Sequence, residues 1–216
     1  MTQEHTQATL LVVFDVDSTL IEQEVIELLA DFAGKRAEVE AVTAKAMAGE
    51  LDFEGSLRAR VVNLEGLPAS VIDRALEQIT LTPGAKEAVE YIHSVGGKAG
   101  AVSGGFIELL EPLAKKLNLD FYRANQLEII DGVLTGKVIG EIIDKPAKAT
   151  ALREWADSLT LEISRTVAVG DGANDLDMME TAGLSVGFNA KPRVRAKADL
   201  VIARNDLTDL IPLLGL

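Results

Sequence analysis

No cysteine occurs in this 216-residue sequence. Its absence excludes disulfides, a cysteine nucleophile, iron–sulfur clusters and thiolate zinc sites. Histidine is nearly as scarce. The two are His5, in the N-terminal tail, and His93, so a multi-histidine metal site is not expected. Any bound metal should be a hard cation on oxygen ligands. Positive charge is in deficit: 21 Lys plus Arg stand against 34 Asp plus Glu, a formal net charge of −13. A nucleic-acid binder needs a basic stripe to displace phosphate counterions, so this balance argues against one. The same deficit repels any anionic substrate, whose site must then carry its own local positive charge. No apolar run is long enough to span a bilayer, so no membrane partner is expected. The segment MTQEHTQATL has no basic stretch followed by an apolar one. No secretory leader is expected there, and the cytoplasm is the expected location.

What is present is 48% hydrophobic and 25% charged, the profile of a globular chain of one or two domains. Short β-branched runs at 10–14, 98–102, 166–169, 184–188 and 200–202 read as strands. Helical patterns cover 85–94, 106–117 with Pro112 as a blemish, 145–158 and 173–181. The alternation predicts an α/β fold: a Rossmann-like, mostly parallel sheet flanked by helices. Ligands bind at the carboxyl ends of such strands. Two segments depart from the pattern. Residues 22–79 hold no strand and read as helices over 23–32, 36–48, 53–64 and 69–78, separated by Gly34, Gly49 and Gly66-Leu67-Pro68. Inserted after the first strand, this block (21–79) is expected to form a small helical cap domain on a core of 1–20 and 80–216. Within 127–138, Asp131-Gly132 between apolar runs signals a hairpin.

Four constellations carry chemistry. LLVVF ends in Asp15 and Asp17, two residues apart; such a pair is costly unless a cation neutralises it. TVAV runs into Gly170-Asp171-Gly172-Ala173-Asn174-Asp175, a second pair of acids able to share that cation. Acids at this turn would repel a pyrophosphate, which sets aside a dinucleotide fingerprint, and 132–138 has the wrong spacing for a P-loop. Ser103-Gly104-Gly105-Phe106 follows a strand and precedes a helix, where a hydroxyl and backbone N–H groups can cradle an anion. Lys148 stands in the first turn of a helix, against the dipole, which calls for a nearby anion; Lys145 competes for that role. Alone, each also has a structural reading as a turn, cap or solvated strand end. Together, four strand ends are expected to converge on one sheet edge, offering acids for a divalent cation and a cradle for phosphate.

In order and over nearly the whole chain, these segments resemble the four motifs of the haloacid dehalogenase superfamily. Asp15-Val16-Asp17-Ser18-Thr19, Ser103-Gly104-Gly105-Phe106 and the helical insert are most similar to its phosphoserine phosphatases. Val16 departs from the Phe often found there, but that position serves the family through its backbone carbonyl. The regulatory N-terminal domains of some relatives are not expected here.

The resemblance implies hydrolysis of O-phospho-L-serine to L-serine and phosphate, the last step of serine biosynthesis. Asp15 would attack phosphorus and become an aspartyl-phosphate. Asp17 would protonate the leaving oxygen and then activate water. Mg²⁺ would be held by Asp15, the Asp17 carbonyl and Asp171, with Asp175 completing the shell. Ser103, the Gly104 N–H and Lys148 would bind phosphoryl oxygens, with Asn174 orienting groups around them. Mg²⁺ and Lys148 would supply the missing positive charge. In the insert, Glu24 would meet the substrate ammonium, Arg60 its carboxylate, and Phe53, seven residues and two turns from Arg60, would shield the site. Met47 is a candidate for the same pocket or for the cap core. A monomer or homodimer is expected. The alternatives are a phosphatase or phosphotransferase for another small phosphometabolite, such as phosphohomoserine or phosphorylcholine, and a non-catalytic phosphoamino-acid sensor. A sensor would need neither Asp15 nor Asp17.

Overall fold

A computed structural model describes residues 8–47 and 50–214, apart from the side chain of Met47. His5, Ala48 and Gly49 lie outside the described residues. Elements follow in chain order: β1 Leu11–Phe14, α1 Val25–Ala33, α2 Arg36–Met47, α3 Phe53–Val61, α4 Val71–Gln78, α5 Ala85–Ser94, β2 Lys98–Phe106 and α6 Ile107–Leu117. Then come β3 Phe121–Ile130, β4 Val133–Ile139, α7 Lys145–Ser158, β5 Thr166–Gly170, α8 Leu176–Thr181, β6 Leu184–Phe188, α9 Pro192–Arg195 and β7 Leu200–Ile202.

The strands form one seven-stranded sheet in the order β4-β3-β2-β1-β5-β6-β7. Every pairing is parallel except β3 with β4. β1 sits at the centre and is buried throughout. Val12 and Phe14 pack with Val89, Ile92 and Leu109 of α5 and α6, whereas Leu11 and Val13 pack with Leu152, Trp155 and Met178 of α7 and α8. An unbroken apolar run is what a strand covered on both faces requires.

Helix ends follow their local signals. Asp144 caps α7 by accepting the Ala147 N–H at 2.9 Å, with Pro146 in the first turn, and Gly34 closes α1 at a left-handed φ of 64°. Asp131 (φ 50°) and Gly132 (φ 75°) both take the left-handed conformation that a two-residue hairpin turn demands.

Helices α1 to α4 occupy the predicted insert. The chain leaves and rejoins the sheet side by side, where Ile21 pairs antiparallel with Leu81. The insert is also tied to the β3–β4 hairpin. The Gly66 N–H donates to the Leu134 carbonyl at 2.9 Å, Leu134 to Leu67 at 2.8 Å and Ala69 to Gly132 at 2.8 Å. The two segments that break the strand–helix alternation are therefore bonded to each other.

β2 runs beyond the predicted 98–102 because it bulges. Val102 and Phe106 of β2 pair with Arg123 and Asn125 of β3, so Ser103-Gly104-Gly105 faces a single residue, Ala124. A bulge keeps a strand going while re-aiming its side chains, and it delays α6 to Ile107. The predicted helix over 173–181 divides into a 3₁₀ turn, Ala173–Asp175, followed by α8.

Candidate active site

β1 delivers the chain to Asp15, whose N–H still donates to the Val169 carbonyl at 2.8 Å. Beyond it, Val16–Leu20 forms one wide turn, closed by the Ile21 N–H on the Val16 carbonyl at 3.1 Å. Ser18 within it is left-handed at φ 58°. Such wide turns and strained residues are concentrated at functional sites. The turn therefore begins between Asp15 and Asp17. Asp17 Oδ1 accepts a long hydrogen bond, 3.4 Å, from the Val25 N–H.

Lys148 decides how the acids are arranged. It is 1% exposed and donates to Asp15 Oδ1 at 2.6 Å and Asp175 Oδ1 at 2.7 Å. These carboxylates are the anions that its position against the helix dipole called for. Lys145 instead pairs with Asp177. Three strands, β1, β2 and β5, and one helix, α7, therefore meet here, in place of the expected four strand ends. Asp175 Oδ2 accepts the Gly172 N–H at 3.0 Å. A Cβ on Gly170 would strike this carboxylate, so only glycine fits there.

The acids of the site repel one another. Burial raises Asp17 well above the ordinary carboxylate range, and Glu24 and Asp15 push it further. Burial and then Asp15 raise Asp175 to about 7, against the pull of Lys148. Burial raises Asp171, against the opposing Lys191. Burial alone would lower Lys148, but Asp15 and Asp175 outweigh it and hold the ammonium charged. The carboxylates carry more negative charge than Lys148 neutralises.

One carboxylate oxygen from each of Asp15, Asp171 and Asp175 lies within 4.8 Å of the other two, and all three residues are buried. An all-carboxylate donor set with excess negative charge fits a hard divalent cation.

A cavity of about 210 Å³ opens over these groups. Its wall brings together Asp15, Asp17 and Asp171 with Gly104 and Asn174, and adds Glu24, Phe53 and Arg60 from the insert. Phe53 and Arg60 share a face of α3, as their spacing predicts. Glu24 Oε1 accepts the Ser18 hydroxyl at 2.8 Å. Burial lowers the Arg60 pKa, against Glu24 and Asp17. Ser103, Lys148 and Asp175 stand behind the wall. Ser103 is 2% exposed, and its Oγ accepts the Gly105 N–H at 2.8 Å.

Two residues escaped the sequence reading. Asn125 is fully buried; it donates to the Gly104 carbonyl at 2.9 Å and accepts the Ile143 N–H at 2.8 Å, tying the β2 bulge to the approach to α7. Lys191 lines the cavity and lies 3.2 Å from Asp171 Oδ2. It sits just past β6, another carboxyl strand end on the same sheet edge, which was its available signal.

The model of one family, haloacid dehalogenase-like hydrolase, matches residues 12–180. The chain belongs to this family. Among its members, a Streptococcus thermophilus phosphoserine phosphatase is 50% identical over 94% of this chain and 95% of its own. Phosphoserine phosphatase SerB2 of Mycobacterium tuberculosis is 52% identical over 95% of this chain. The chain spans about half the length of that relative and of a Streptomyces coelicolor phosphoserine phosphatase. A phosphoserine phosphatase structure described as substrate-bound aligns with a TM-score of 0.90 at 41% identity, covering 95% of this chain and 98% of its own. A second, of a phospho-aspartyl intermediate analogue, aligns with the same TM-score and identity over 95% and 99%. Among the described residues, no helix is long and apolar enough to cross a membrane.

Proposed function

We propose that this chain is a Mg²⁺-dependent phosphoserine phosphatase working through an aspartyl-phosphate on Asp15. The observation that carries the reading is the pairing of two differently prepared acids. Lys148 fixes Asp15 by an ion pair to Oδ1 at 2.6 Å, while burial favours a proton on Asp17. One carboxylate is held for attack and the other for proton transfer.

In this mechanism an Asp15 oxygen forms a bond to phosphorus as the phosphorus–serine oxygen bond breaks. Asp17 gives its proton to the departing serine oxygen. Asp17 then takes a proton from water as that water attacks phosphorus, breaking the bond to Asp15 and releasing phosphate. Asp15, Asp171 and Asp175, with the Asp17 carbonyl, would hold Mg²⁺, which when bound offsets the charge developing on the phosphoryl oxygens. Ser103, the Gly104 N–H and Lys148 surround the phosphoryl group in this reading, with Asn174 beside them. Glu24 and Arg60 read the ammonium and carboxylate of phosphoserine, and Phe53 covers them. The helical block 21–79 acts as a cap domain that closes on substrate. A cytoplasmic monomer or homodimer serving serine biosynthesis is the setting that this reading implies.

The test is a phosphate-release screen of the purified protein over small phosphorylated metabolites, with and without chelator. Phosphoserine should be the best substrate, with activity lost on chelation and restored by Mg²⁺. Hydrolysis of phosphohomoserine or phosphorylcholine but not phosphoserine would overturn the substrate assignment.

A further inference from the structure

Lys191 is anchored in its backbone and loose in its side chain. Its N–H donates to the Asp171 carbonyl at 2.9 Å, and its carbonyl accepts from Val194 and Arg195 at 2.9 and 3.0 Å. Its side chain is 57% exposed and makes one ion pair, 3.2 Å to Asp171 Oδ2. The other cations of the site differ. Lys148 is 1% exposed and clamped by two carboxylates. Arg60 is partly buried on α3. Among the described residues, Lys191 is the one long, exposed, singly paired cation on the cavity wall. Its partner belongs to the carboxylate triad suited to a metal.

We propose that Lys191 is a displaceable counter-ion, paired with Asp171 while no divalent cation is bound and released by that cation to meet the phosphoryl group at the cavity rim. The inference rests on the phosphatase reading of the site. Its physical basis is competition. A half-exposed ion pair is weak, and a divalent cation among three carboxylates takes Asp171 from it. The ammonium and the cation then repel each other. The four-carbon stem swings while the anchored backbone keeps it near. The wall holds four acids, Asp15, Asp17, Glu24 and Asp171, against two cations, Arg60 and Lys191, in a chain of net charge −13. A phosphate dianion approaching that wall needs the freed charge.

The experiment compares the wild type with Lys191→Met, which keeps the stem, and Lys191→Arg, which keeps the charge. Calorimetric titration with Mg²⁺ alone, without substrate, should show about fivefold tighter binding to Lys191→Met, because a competing cation is gone. In phosphate release from phosphoserine at low salt, Lys191→Met should lose about tenfold in kcat/KM, mainly through KM, and its salt dependence should flatten. Lys191→Arg should restore wild-type behaviour in both. Unchanged Mg²⁺ affinity, or an unchanged salt dependence, overturns the proposal; so does a loss confined to kcat. A wild type that releases no phosphate from phosphoserine would instead refute the phosphatase reading, on which the Mg²⁺ titration does not depend.

Discussion

Replacing Arg60 with alanine should damage recognition of the substrate carboxylate and little else. Arg60 lies on α3 with Phe53, and both line the cavity that holds Asp15 and Asp17. Burial lowers its pKa, so its charge sits where water screens it poorly. Its guanidinium makes a long hydrogen bond, Nε–H to the Ser56 carbonyl at 3.3 Å, which leaves the fork able to engage a carboxylate. A hydrogen bond to a charged partner contributes about 1.5–3 kcal/mol. Arg60→Ala should therefore cut kcat/KM for phosphoserine by about 10- to 150-fold, mainly through KM. O-phosphoethanolamine, which has the ammonium but no carboxylate, provides the control. Its already lower kcat/KM should fall less than about twofold, within about ±0.5 kcal/mol, because it has no carboxylate for Arg60 to meet. The assay is steady-state phosphate release from both esters by both proteins, at one salt concentration. Equal losses on the two esters would remove Arg60 from substrate recognition.

Three other outcomes follow from the geometry. Lys148→Met leaves Asp15 and Asp175 facing each other inside the protein; breaking such a buried pair costs about 3–5 kcal/mol, visible as a lower urea midpoint, and phosphate release should fall to background. Gly100→Ala places a Cβ 2.8 Å from the Trp155 ring, overpacking that should cost about 1–3 kcal/mol, read from the fluorescence of the single tryptophan during urea unfolding. Far from the site, burial disfavours the Asp120 carboxylate, but Lys98, the Ala99 N–H and His93 outweigh it and lower its pKa below 3.8. A lowered folded-state pKa gives stability that is present above the unfolded value and lost as pH falls through the folded one. Asp120→Asn should thus cost about 1 kcal/mol at pH 7, with the gap to wild type closing below pH 3.8.

Local chemistry was legible in the sequence. The bounds 85–94, 145–158, 184–188 and 200–202 agree with the elements found, because periodicity, Pro146 and the Asp144 cap act over a few residues. The Asp131-Gly132 hairpin was legible for the same reason. Contacts between distant segments were not. Lys148 reaches Asp15 across 133 positions, and no local pattern distinguishes it from Lys145. The β2 bulge depends on how β3 pairs with it, so a strand reading stops at Val102. Asn125 lies inside β3 and looks like any strand polar residue until both ends of its amide are seen to be used. The wide turn after Asp15 depends on a left-handed Ser18, a conformation that serine does not advertise.

In the proposed reaction Asp15 takes the phosphoryl group. Quenching the enzyme with acid during turnover of phosphoserine, then mapping peptides by mass spectrometry, tests it directly. A hydroxylamine-labile phosphoryl group should appear on Asp15 in the presence of Mg²⁺ and be absent from Asp15→Asn. Active enzyme carrying no such group, or carrying it on another residue, would contradict this assignment.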